Sequence, residues 1–596
     1  MCFLATSDYR LHQFFDFLSP RIYNFGMQAL FKRVVGLFLD NKYLALIFVL
    51  AALLRLLYLT YAPPSLNWDE VSHGYNAYSI LKTGKDEWGS LPFSNFRAYG
   101  DYPLALNLYL TIPFIAVFGL NEFSVRLPHA LLGTFTVVAA YFLALGITKS
   151  KKVSLITALL VAVEPWSLFL SRFVVQSNLS VFFLTASLAA FFNREKNRYL
   201  FPLSIFFLGL TLFSYHTTRL VSPILLVLGF FIYKKSTLSV LAKDKRVKIL
   251  TIALVLAFFL PLPFVLSRPE ARARSGFTFI INQGAVSEII EARAKSNLPD
   301  TVKRLLYNRP TYFVGRFAAN YINYFSPKFL FVKGGTQYQF SVPEKGLLYL
   351  ISLPFFYLGL LLVVKKAFKG EVDFRFMLTW LIVSPIPAAI TSEPNAVVRA
   401  TAMIPAPMII SALGLVSASG WLKDKLKVSP MLLYLGFVGA LALFIENYLN
   451  VYITSYRSHY SWSWQWGYRQ VVQYAKNNYQ KYDKIVVTKK YGEPHEFFLF
   501  FWPWDPLSYR NDPNLIRYYQ SEWFWVDGFD KFYFVNDWDI PKDKDTLILE
   551  SKKLVDCSEG VKCLLITSPG NYPAGWRSLE TVKFLDGKGA FEIYEN

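Results

Sequence analysis

The sequence predicts an α-helical polytopic membrane protein with about eleven transmembrane helices and a small C-terminal α/β domain outside the membrane. Three observations support this fold class. Of the 596 residues, 54% are hydrophobic and 18% are aromatic. Apolar segments close to the length of a bilayer-spanning helix recur between residues 44 and 450. From about residue 451 the chain becomes polar and aromatic, and short strand-like and helix-like segments alternate.

The charge pattern predicts the topology of the apolar segments. Basic residues form short runs between them, which is typical of cytoplasmic loops, so we expect the N-terminus inside and the C-terminal region outside the plasma membrane. The net charge of +21 does not indicate nucleic-acid binding, because the basic residues form no single patch. The predicted spans are residues 44–62, 128–148, 153–169, 179–193, 200–215, 220–233, 248–266, 346–364, 376–391, 398–418 and 430–448.

Two apolar stretches need another interpretation. Residues 1–43 alternate apolar residues with Arg21, Lys32 and Arg33 and show no small-residue cleavage site, so we expect a cytoplasmic amphipathic segment and not a cleaved signal. Residues 104–120 are short for a span and contain Pro113. We interpret them as a helix along the outer interface; the alternative is a true span accompanied by another that the pattern does not reveal.

The domain boundaries follow from these segments. Residues 44–450 are predicted to form the transmembrane domain, with outer loops at 63–127 and 267–345, and residues 451–596 the extracytoplasmic α/β domain. In the latter we expect a helix over 467–478 and strands over 484–488, 532–535, 546–549 and 561–567. Cys557 and Cys563 could pair across a tight loop in an oxidising exterior, whereas Cys2 is expected to be cytoplasmic and inert.

An acidic pair, Asp69 and Glu70, directly follows the first apolar segment. A carboxylate at the boundary between water and hydrocarbon is costly to desolvate and usually serves a function. The alternative is that both acids only cap a helix over 71–81. Further polar residues in the same loop, including His73 and Asp101, favour a functional site.

Arg55 lies inside the first predicted span, and an arginine within the membrane indicates a functional site. A guanidinium can hold a phosphate with two parallel hydrogen bonds, so a lipid phosphate is the expected ligand; an ion pair with a neighbouring helix is the alternative. Other polar residues at the outer ends of later spans fit the same anionic ligand. They are Glu164, Arg172, Gln176, Asn178, His216, Arg219, Glu393 and Arg399. For Arg268, Arg272, Arg274 and Arg293 in the long outer loop, a solvated surface is the simpler interpretation.

Nucleotide-dependent and zinc-protease motifs are missing from the sequence. It contains no Walker loop, no nucleotide-binding glycine fingerprint, no CxxC and no HExxH. A membrane enzyme without a sugar-nucleotide site must receive its activated donor in another form. A lipid-linked phosphosugar would fit.

Several short motifs together resemble the integral-membrane glycosyltransferases of the GT-C superfamily. Specifically, they resemble the prokaryotic branch of the protein O-mannosyltransferases and the ArnT-like aminoarabinose transferases. The resemblance covers roughly residues 44–450 and implies the GT-C fold, with interfacial helices in the first loop. The motifs lie at 68–70, 74–77, 83–89, 101–104 and 118–128, and at 171–172, 215–216, 219, 320–321, 329–331, 394–395 and 399.

The resemblance implies transfer of a monosaccharide from a polyprenyl-phosphate donor to an acceptor hydroxyl on the outer face, in one step with inversion. Asp69 matches the family's first-loop acid and would be the general base, with Glu70 as the second catalytic candidate. The donor phosphate would be bound by Arg55, His216, Arg219 and Arg399. For His216, packing is an equal alternative. Asp101, Arg172, Glu164 and Asn178 are the candidate substrate-binding residues.

Metal dependence is in doubt, because some relatives use a second acid in the outer loop after the third span. Here residues 173–178 contain no carboxylate, although Glu164 lies upstream. Amides are poorer ligands than carboxylates for a hard cation. We therefore expect no obligatory cofactor and no metal ligands among these candidates, and keep a divalent cation as an option.

Two other function classes remain. A flippase for lipid-linked sugars would explain the helices, but we find no internal repeat, and the charged residues lie at one membrane face. A non-catalytic binding protein could use the Trp-rich tail for sugar stacking. The sequence does not determine the sugar, or whether the acceptor is a protein, a lipid or a glycan.

Overall fold

The computed structural model describes residues 41–269, 278–520, 523–558 and 560–596. The expectations for the N-terminal amphipathic segment, Cys2, Arg272 and Arg274 fall on residues outside these ranges. Between residues 41 and 451 the described chain is mostly helical, which confirms the predicted helical class.

The helices before the C-terminal region follow the apolar segments closely. They are α1 (Lys42–Leu56), α2 (Trp68–Thr83), α3 (Leu106–Phe118), α4 (Glu122–Thr148), α5 (Lys151–Val163), α6 (Pro165–Leu170), α7 (Gln176–Phe192), α8 (Leu200–Thr211), α9 (Thr218–Ile232), α10 (Lys234–Lys243), α11 (Lys245–Phe259), α12 (Leu262–Ser267), α13 (Gln283–Lys295), α14 (Asp300–Leu306), α15 (Arg309–Asn323), α16 (Leu353–Phe368), α17 (Val372–Val383), α18 (Ile386–Ala389), α19 (Ala406–Leu426) and α20 (Pro430–Val451).

The structure confirms a multi-pass membrane protein but divides the apolar segments differently from the prediction. Within the described ranges, six helical stretches are long and apolar enough to cross a membrane, or seven if the bent pair α9 and α10 is one span. The predicted spans 179–193 and 200–215 become helices of 17 and 12 residues. The predicted span 153–169 breaks at Glu164, between α5 and α6. The sequence pattern overcounts full-length spans because apolar residues continue through the turns between short helices.

Two outer segments also differ from simple loops. The long connection 267–345, predicted only as a loop, contains α13 to α15 and a π-helical segment, Lys328–Lys333. The apolar stretch 104–120 forms α3, which runs through Pro113 and has 13 residues. At about 1.5 Å per residue such a helix is shorter than a bilayer core of about 30 Å. Its length favours the interfacial interpretation, which stays a prediction.

Close backbone contact between α16 and α19 forms part of the helical core. A Cβ atom on Gly359 would lie 1.9 Å from the carbonyl oxygen of Ile410, and one on Gly414 would lie 1.9 Å from that of Phe355. Small residues let helix backbones approach closely inside a membrane, where packing drives association. Glycine is therefore required at both positions.

The C-terminal region forms an α/β unit around a seven-stranded sheet with strand order β2-β3-β4-β1-β7-β9-β8. The central strand β1 runs parallel to β4 and β7, and the other neighbouring pairs in this sheet are antiparallel. The strands are β1 (Lys484–Thr488), β2 (Ile516–Gln520), β3 (Trp523–Phe529), β4 (Phe532–Val535), β5 (Thr546–Ile548), β6 (Leu554–Asp556), β7 (Cys563–Thr567), β8 (Arg577–Lys583) and β9 (Gly589–Glu595). The helices are α21 (Arg457–His459), α22 (Tyr468–Asn477), α23 (Pro494–Phe501) and α24 (Pro506–Arg510).

The predicted α/β character of this region is confirmed. The helix expected over 467–478 is α22, and the four expected strands correspond to β1, β4, β5 and β7. Sequence reasoning missed β2, β3, β6, β8 and β9. A disulfide joins Cys557 and Cys563, as the sequence allowed.

The first outer loop and the C-terminal region share one hydrophobic core. A Cβ atom on Gly74 in α2 would lie 2.5 Å from the ring of Phe500 in α23. A Cβ atom on Gly492 would lie 2.0 Å from the ring of Trp68, and the Tyr75 hydroxyl donates to the carbonyl of Trp504 at 3.2 Å. Helix α2, which begins with the acidic pair, is therefore held from one side by the C-terminal region.

Candidate functional site

Helix α2 begins at the acidic pair because Asn67 and Glu70 form a capping box. The Asn67 side chain accepts from the Glu70 amide at 2.9 Å, and the Glu70 carboxylate accepts from the Asn67 amide at 3.2 Å. Reciprocal bonds of this kind satisfy amides that a helix N-terminus leaves without partners. The capping role that the sequence left open thus applies to Glu70, in a helix that begins at Trp68 and not at residue 71.

Glu70 is also one half of a fully buried ion pair. Its two carboxylate oxygens each accept from the Arg126 guanidinium at 2.8 Å, and Oε1 also accepts from the Val174 amide at 3.0 Å. Arg126 in addition donates to the carbonyls of Leu59, Pro63 and Ser65. Both oxygens are saturated with donors and shielded from solvent. The geometry therefore does not support the catalytic assignment of Glu70, which instead joins α2 to α4 and to the preceding loop.

Asp69 has a different environment, although it is adjacent in the chain. Its side chain is only partly buried, and the Tyr99 hydroxyl donates to its Oδ1 atom. Burial and the neighbouring Asp69 raise the pKa of Tyr99 well above its usual range, so the phenol keeps its proton and acts as a donor. The Tyr99 ring stacks on Trp523 of β3, with ring centroids 5.7 Å apart. Asp69 thus faces a partly open site with an aromatic wall from the C-terminal region.

His73 lies one helical turn after Asp69 and belongs to the same cluster. Its Nδ1 atom donates to the Asp69 backbone carbonyl at 2.5 Å, because a carbonyl can only accept. Burial lowers the pKa of His73, and the nearby Asp69 and Asp101 act in the opposite direction. The Nε2 atom of this neutral imidazole is then a buried acceptor with no partner among the described residues. The structure brings together Asp69, His73, Tyr99 and Asp101.

A second histidine, which sequence reasoning missed, lies behind this cluster. His129 of α4 donates from Nε2 to the Asn107 amide oxygen of α3 at 2.8 Å. The His129 Nδ1 and Asn107 Nδ2 atoms are buried without hydrogen-bond partners in the part of the chain that is described. Asn178, a predicted substrate-binding residue, donates to the His129 backbone carbonyl at 3.0 Å. The signal available in the sequence was one polar side chain in each of two apolar helices.

Arg55 is placed differently from its prediction. It is fully buried and donates to the carbonyls of Val161 and Ala162 at 2.9 and 2.8 Å and to the Ser167 hydroxyl at 3.1 Å. These carbonyls belong to the last turn of α5, where the helix breaks before α6. Its terminal nitrogens therefore satisfy a helix end, and the structure does not support the prediction that Arg55 holds a phosphate.

Arg172 has an equivalent role at the end of the first helix. Its guanidinium donates only to backbone carbonyls, those of Leu54, Leu57, Tyr58 and Ala62. Glu164 likewise accepts from the Tyr349 amide at 2.6 Å and from the Ser352 hydroxyl at 2.8 Å. Both residues were predicted to bind substrate, but the structure gives them contacts that fix backbone turns.

Arg219 retains capacity for a ligand. Its Nε atom donates to the Leu212 carbonyl at 2.9 Å and its Nη2 atom to the Asn95 side chain of the first outer loop at 3.1 Å. Its Nη1 atom is buried and has no hydrogen-bond partner within the described ranges. Arg399 lies 3.3 Å from the Glu393 carboxylate, and His216 is partly buried beside Tyr215. Among the predicted phosphate-binding residues, Arg219 is the one that the structure connects to the Asp69 loop.

A separate cluster of titratable groups lies between the first outer loop and α23. Glu87, His495 and Glu496 are all buried, and one ligand atom from each lies within 4.8 Å of the others. Burial, together with the proximity of the two carboxylates, raises the pKa of both Glu87 and Glu496. Burial raises the pKa of the adjacent Glu493 to about 8 and lowers that of His495. Sequence reasoning did not connect these residues, because more than four hundred positions separate Glu87 from His495.

Comparison with known families bears directly on the helical part. Residues 45–270 match the model of the dolichyl-phosphate-mannose-protein mannosyltransferase family. This match includes the first outer loop, with Asp69, and extends through α12. It confirms, over that segment, the resemblance to membrane glycosyltransferases that the motifs indicate.

Individual relatives are more distant. An uncharacterized protein of Aquifex aeolicus is 35% identical over 91 residues, which are 15% of this chain and 18% of that protein. An Archaeoglobus fulgidus oligosaccharyltransferase, in complex with an inhibitory peptide and a dolichol-phosphate, is similar over 78% of this chain and 64% of its own, at 14% identity and a TM-score of 0.46. ArnT from Cupriavidus metallidurans, bound to undecaprenyl phosphate, is similar over 93% and 98%, at 12% identity and a TM-score of 0.44.

Proposed function

We propose that this protein is a membrane glycosyltransferase that moves a monosaccharide from a polyprenyl-phosphate donor to an acceptor hydroxyl at the outer membrane face. The observation that carries the proposal is the cluster of Asp69, His73, Tyr99 and Asp101 inside the segment that matches the mannosyltransferase family. The name of that family includes a dolichyl-phosphate sugar, which is a donor of this class.

Asp69 is the proposed general base. Its carboxylate removes the proton of the acceptor hydroxyl while the acceptor oxygen attacks the anomeric carbon. The new carbon–oxygen bond forms as the bond from that carbon to the phosphate oxygen breaks, and polyprenyl phosphate leaves with the electron pair. A single displacement inverts the anomeric carbon. The hydrogen bond from Tyr99 fixes the carboxylate without taking its charge, since the phenol stays protonated.

Arg219 is the proposed contact for the donor phosphate. Its buried Nη1 donor has no described partner, so a phosphate oxygen that reaches it would satisfy a group that otherwise loses a hydrogen bond. The contact from Arg219 to Asn95 ties this position to the first outer loop, which also carries Asp69. Arg399 and His216 remain weaker candidates for the same ligand. Arg399 already has an ion-pair partner, Glu393, in the structure.

The sugar and acceptor are proposed only by class. His73 Nε2 and His129 Nδ1 are buried acceptors, and Asn107 Nδ2 is a buried donor, so sugar hydroxyls would complement all three. The wall formed by Tyr99 and Trp523 suits stacking of a sugar ring. An acceptor on a protein, a lipid or a glycan would approach from the side of the C-terminal region, which we place outside the plasma membrane with the N-terminus in the cytoplasm.

The test is transfer of labelled sugar from a polyprenyl-phosphate donor pool in membranes that contain the wild type or Asp69→Asn. The amide is nearly isosteric but cannot act as a base. We expect the wild type to transfer sugar and the variant to lose about 10²-fold or more in rate. Equal transfer by both proteins would remove Asp69 as the base and direct attention to Asp101.

The same membranes distinguish the flippase alternative. A flippase moves the donor between leaflets and leaves the bond from sugar to phosphate intact. No transfer by the wild type from any donor, combined with movement of labelled donor to the opposite leaflet, would replace the glycosyltransferase proposal with this alternative.

A further inference from the structure

The search for a further site leads to the seam between the first outer loop and the C-terminal region. Glu87 follows α2 in the loop, whereas His495 and Glu496 lie in the first turn of α23. All three side chains are at least nine-tenths buried, and their nearest ligand atoms fall within a 4.8 Å group. Imidazole and carboxylate ligands in one small group are typical of zinc and similar divalent transition metals.

The atoms of this cluster lack the partners that buried polar groups normally have. Both carboxylate oxygens of Glu496, the Oε2 atom of Glu87 and the Nδ1 atom of His495 have no hydrogen-bond partner among the described residues. Leaving a buried acceptor without a donor is unfavourable, and native structures seldom contain several in one place. A cation at the centre of the group would satisfy the carboxylate oxygens at once.

The remaining contacts are arranged as an outer shell would be. The Glu87 Oε1 atom accepts from the Trp88 indole at 3.0 Å, which leaves Oε2 for a ligand. His495 Nε2 lies 3.9 Å from Glu496 Oε1, and its Nδ1 lies 3.6 Å from a carboxylate oxygen of Glu493. A carboxylate beside the second nitrogen is the usual way to orient a metal-bound imidazole.

The charges nearby favour a cation as well. Three carboxylates, those of Glu87, Glu493 and Glu496, are buried in this small region. Lys489 already pairs with Asp527 and lies 3.3 Å from Glu550, and Arg517 donates to the Glu87 backbone carbonyl at 3.0 Å. These two cations do not match the local acidic charge, because Lys489 is shared with two acids of the sheet.

We propose that Glu87, His495 and Glu496 bind one zinc ion, which joins the first outer loop to the C-terminal region. Glu87 Oε2, His495 Nε2 and a Glu496 oxygen would be the ligands, with Glu493 orienting the imidazole and water completing the tetrahedron. Tetrahedral ligands lie about 3.4 Å apart at zinc distances of about 2.1 Å, so the group must contract by about an ångström. Rotation of the two glutamate side chains provides this movement.

The proposed ion is distinct from the transfer chemistry. Its ligands are not the residues proposed to act on the substrate, and Glu164, which the sequence suggested as a metal ligand, takes no part. The ion would fix α23 against α2, whose contact through Gly74 and Phe500 already leaves no space for a Cβ atom. Zinc would therefore stabilise the side of the site that faces the C-terminal region.

The test measures metal directly on the full chain in detergent. The wild type, Glu496→Gln, His495→Ala and the control Glu164→Gln are stripped with chelator, incubated with zinc chloride and freed of unbound metal. We expect about one zinc per chain in the wild type and in the control, whose glutamate is buried with both oxygens hydrogen-bonded elsewhere. In the two cluster variants we expect a loss of at least about tenfold. Equal zinc in all four proteins, or none in the wild type, overturns the proposal.

Two wild-type measurements need no variant. X-ray absorption at the zinc edge should show only nitrogen and oxygen ligands, in a four-coordinate shell that contains imidazole. Zinc should also raise the melting temperature by about 5 °C over the stripped protein. A six-coordinate shell of oxygens, or an unchanged melting temperature, would indicate adventitious metal and a carboxylate pair that instead shares a proton.

Discussion

Asp69 and Glu70 are neighbours in the chain, but they belong to two regions with different electrostatics. Beneath the start of α2, the carboxylate of Glu70 and the guanidinium of Arg126 are fully buried and bonded to each other and to the backbone. Above it, Asp69 is partly open, and the adjacent His73 Nε2 has no partner in the described chain. The comparison separates charges that hold the fold from groups still able to bind a substrate.

The comparison is tested most strongly by removing the charge of Glu70. Glu70→Gln leaves the Arg126 charge buried without its counter-ion, which should lower the free energy of unfolding by about 3–5 kcal/mol. Thermal unfolding in detergent measures this loss, and Asp69→Asn is the matched control one position away, with a small expected effect. If Glu70→Gln melts like the wild type and loses transfer activity, Glu70 is catalytic and the comparison fails.

A second experiment separates arginines in the same way. Arg219→Lys keeps the positive charge but loses the guanidinium fork, so we expect the donor KM to rise about tenfold with a smaller change in kcat. Arg399→Lys is the control, because its Nη1 atom already faces Glu393, and it should raise the KM less. Equal changes in both variants would show that the unpartnered nitrogen of Arg219 is not the phosphate contact.

A third variant sharpens the role of the C-terminal region. Gly74→Ala places a Cβ atom 2.5 Å from the Phe500 ring and should destabilise the protein by about 1–3 kcal/mol. Gly315→Ala, in α15, is the control, because no heavy atom lies within 4 Å of its new Cβ atom. It should be neutral or stabilising by about 0.5–1 kcal/mol. Equal melting temperatures for the two variants would mean that α2 is not tightly packed on α23.

The sequence could predict whatever depends on local pattern. The apolar segments, the acidic start of α2 and strands such as β1 and β4 follow from composition and periodicity. It could not distinguish Asp69 from Glu70, because their difference comes from Arg126 and Val174, which are distant in the chain. The same limit explains Arg55, whose ligands are carbonyls at the end of α5. Strands β2 and β3 were missed because their aromatic residues were read as interface anchors.

The C-terminal region adds a second limit. Trp523 reaches the Asp69 cluster from β3, and His495 reaches Glu87 from α23, across sequence separations that no local pattern encodes. Polar residues inside apolar helices were the available signal for His129 and Asn107. A histidine followed by a glutamate at the start of a short apolar helix was the corresponding signal for the proposed zinc site.

The most direct test of the central claim is single-turnover sugar transfer by purified Asp69→Asn and wild-type protein, with the melting temperature of each recorded in the same detergent. A positioned carboxylate base contributes about 10²–10⁴-fold to the rate. The account predicts a loss of that size in Asp69→Asn with an unchanged melting temperature. Transfer at the wild-type rate by a folded Asp69→Asn protein would contradict it.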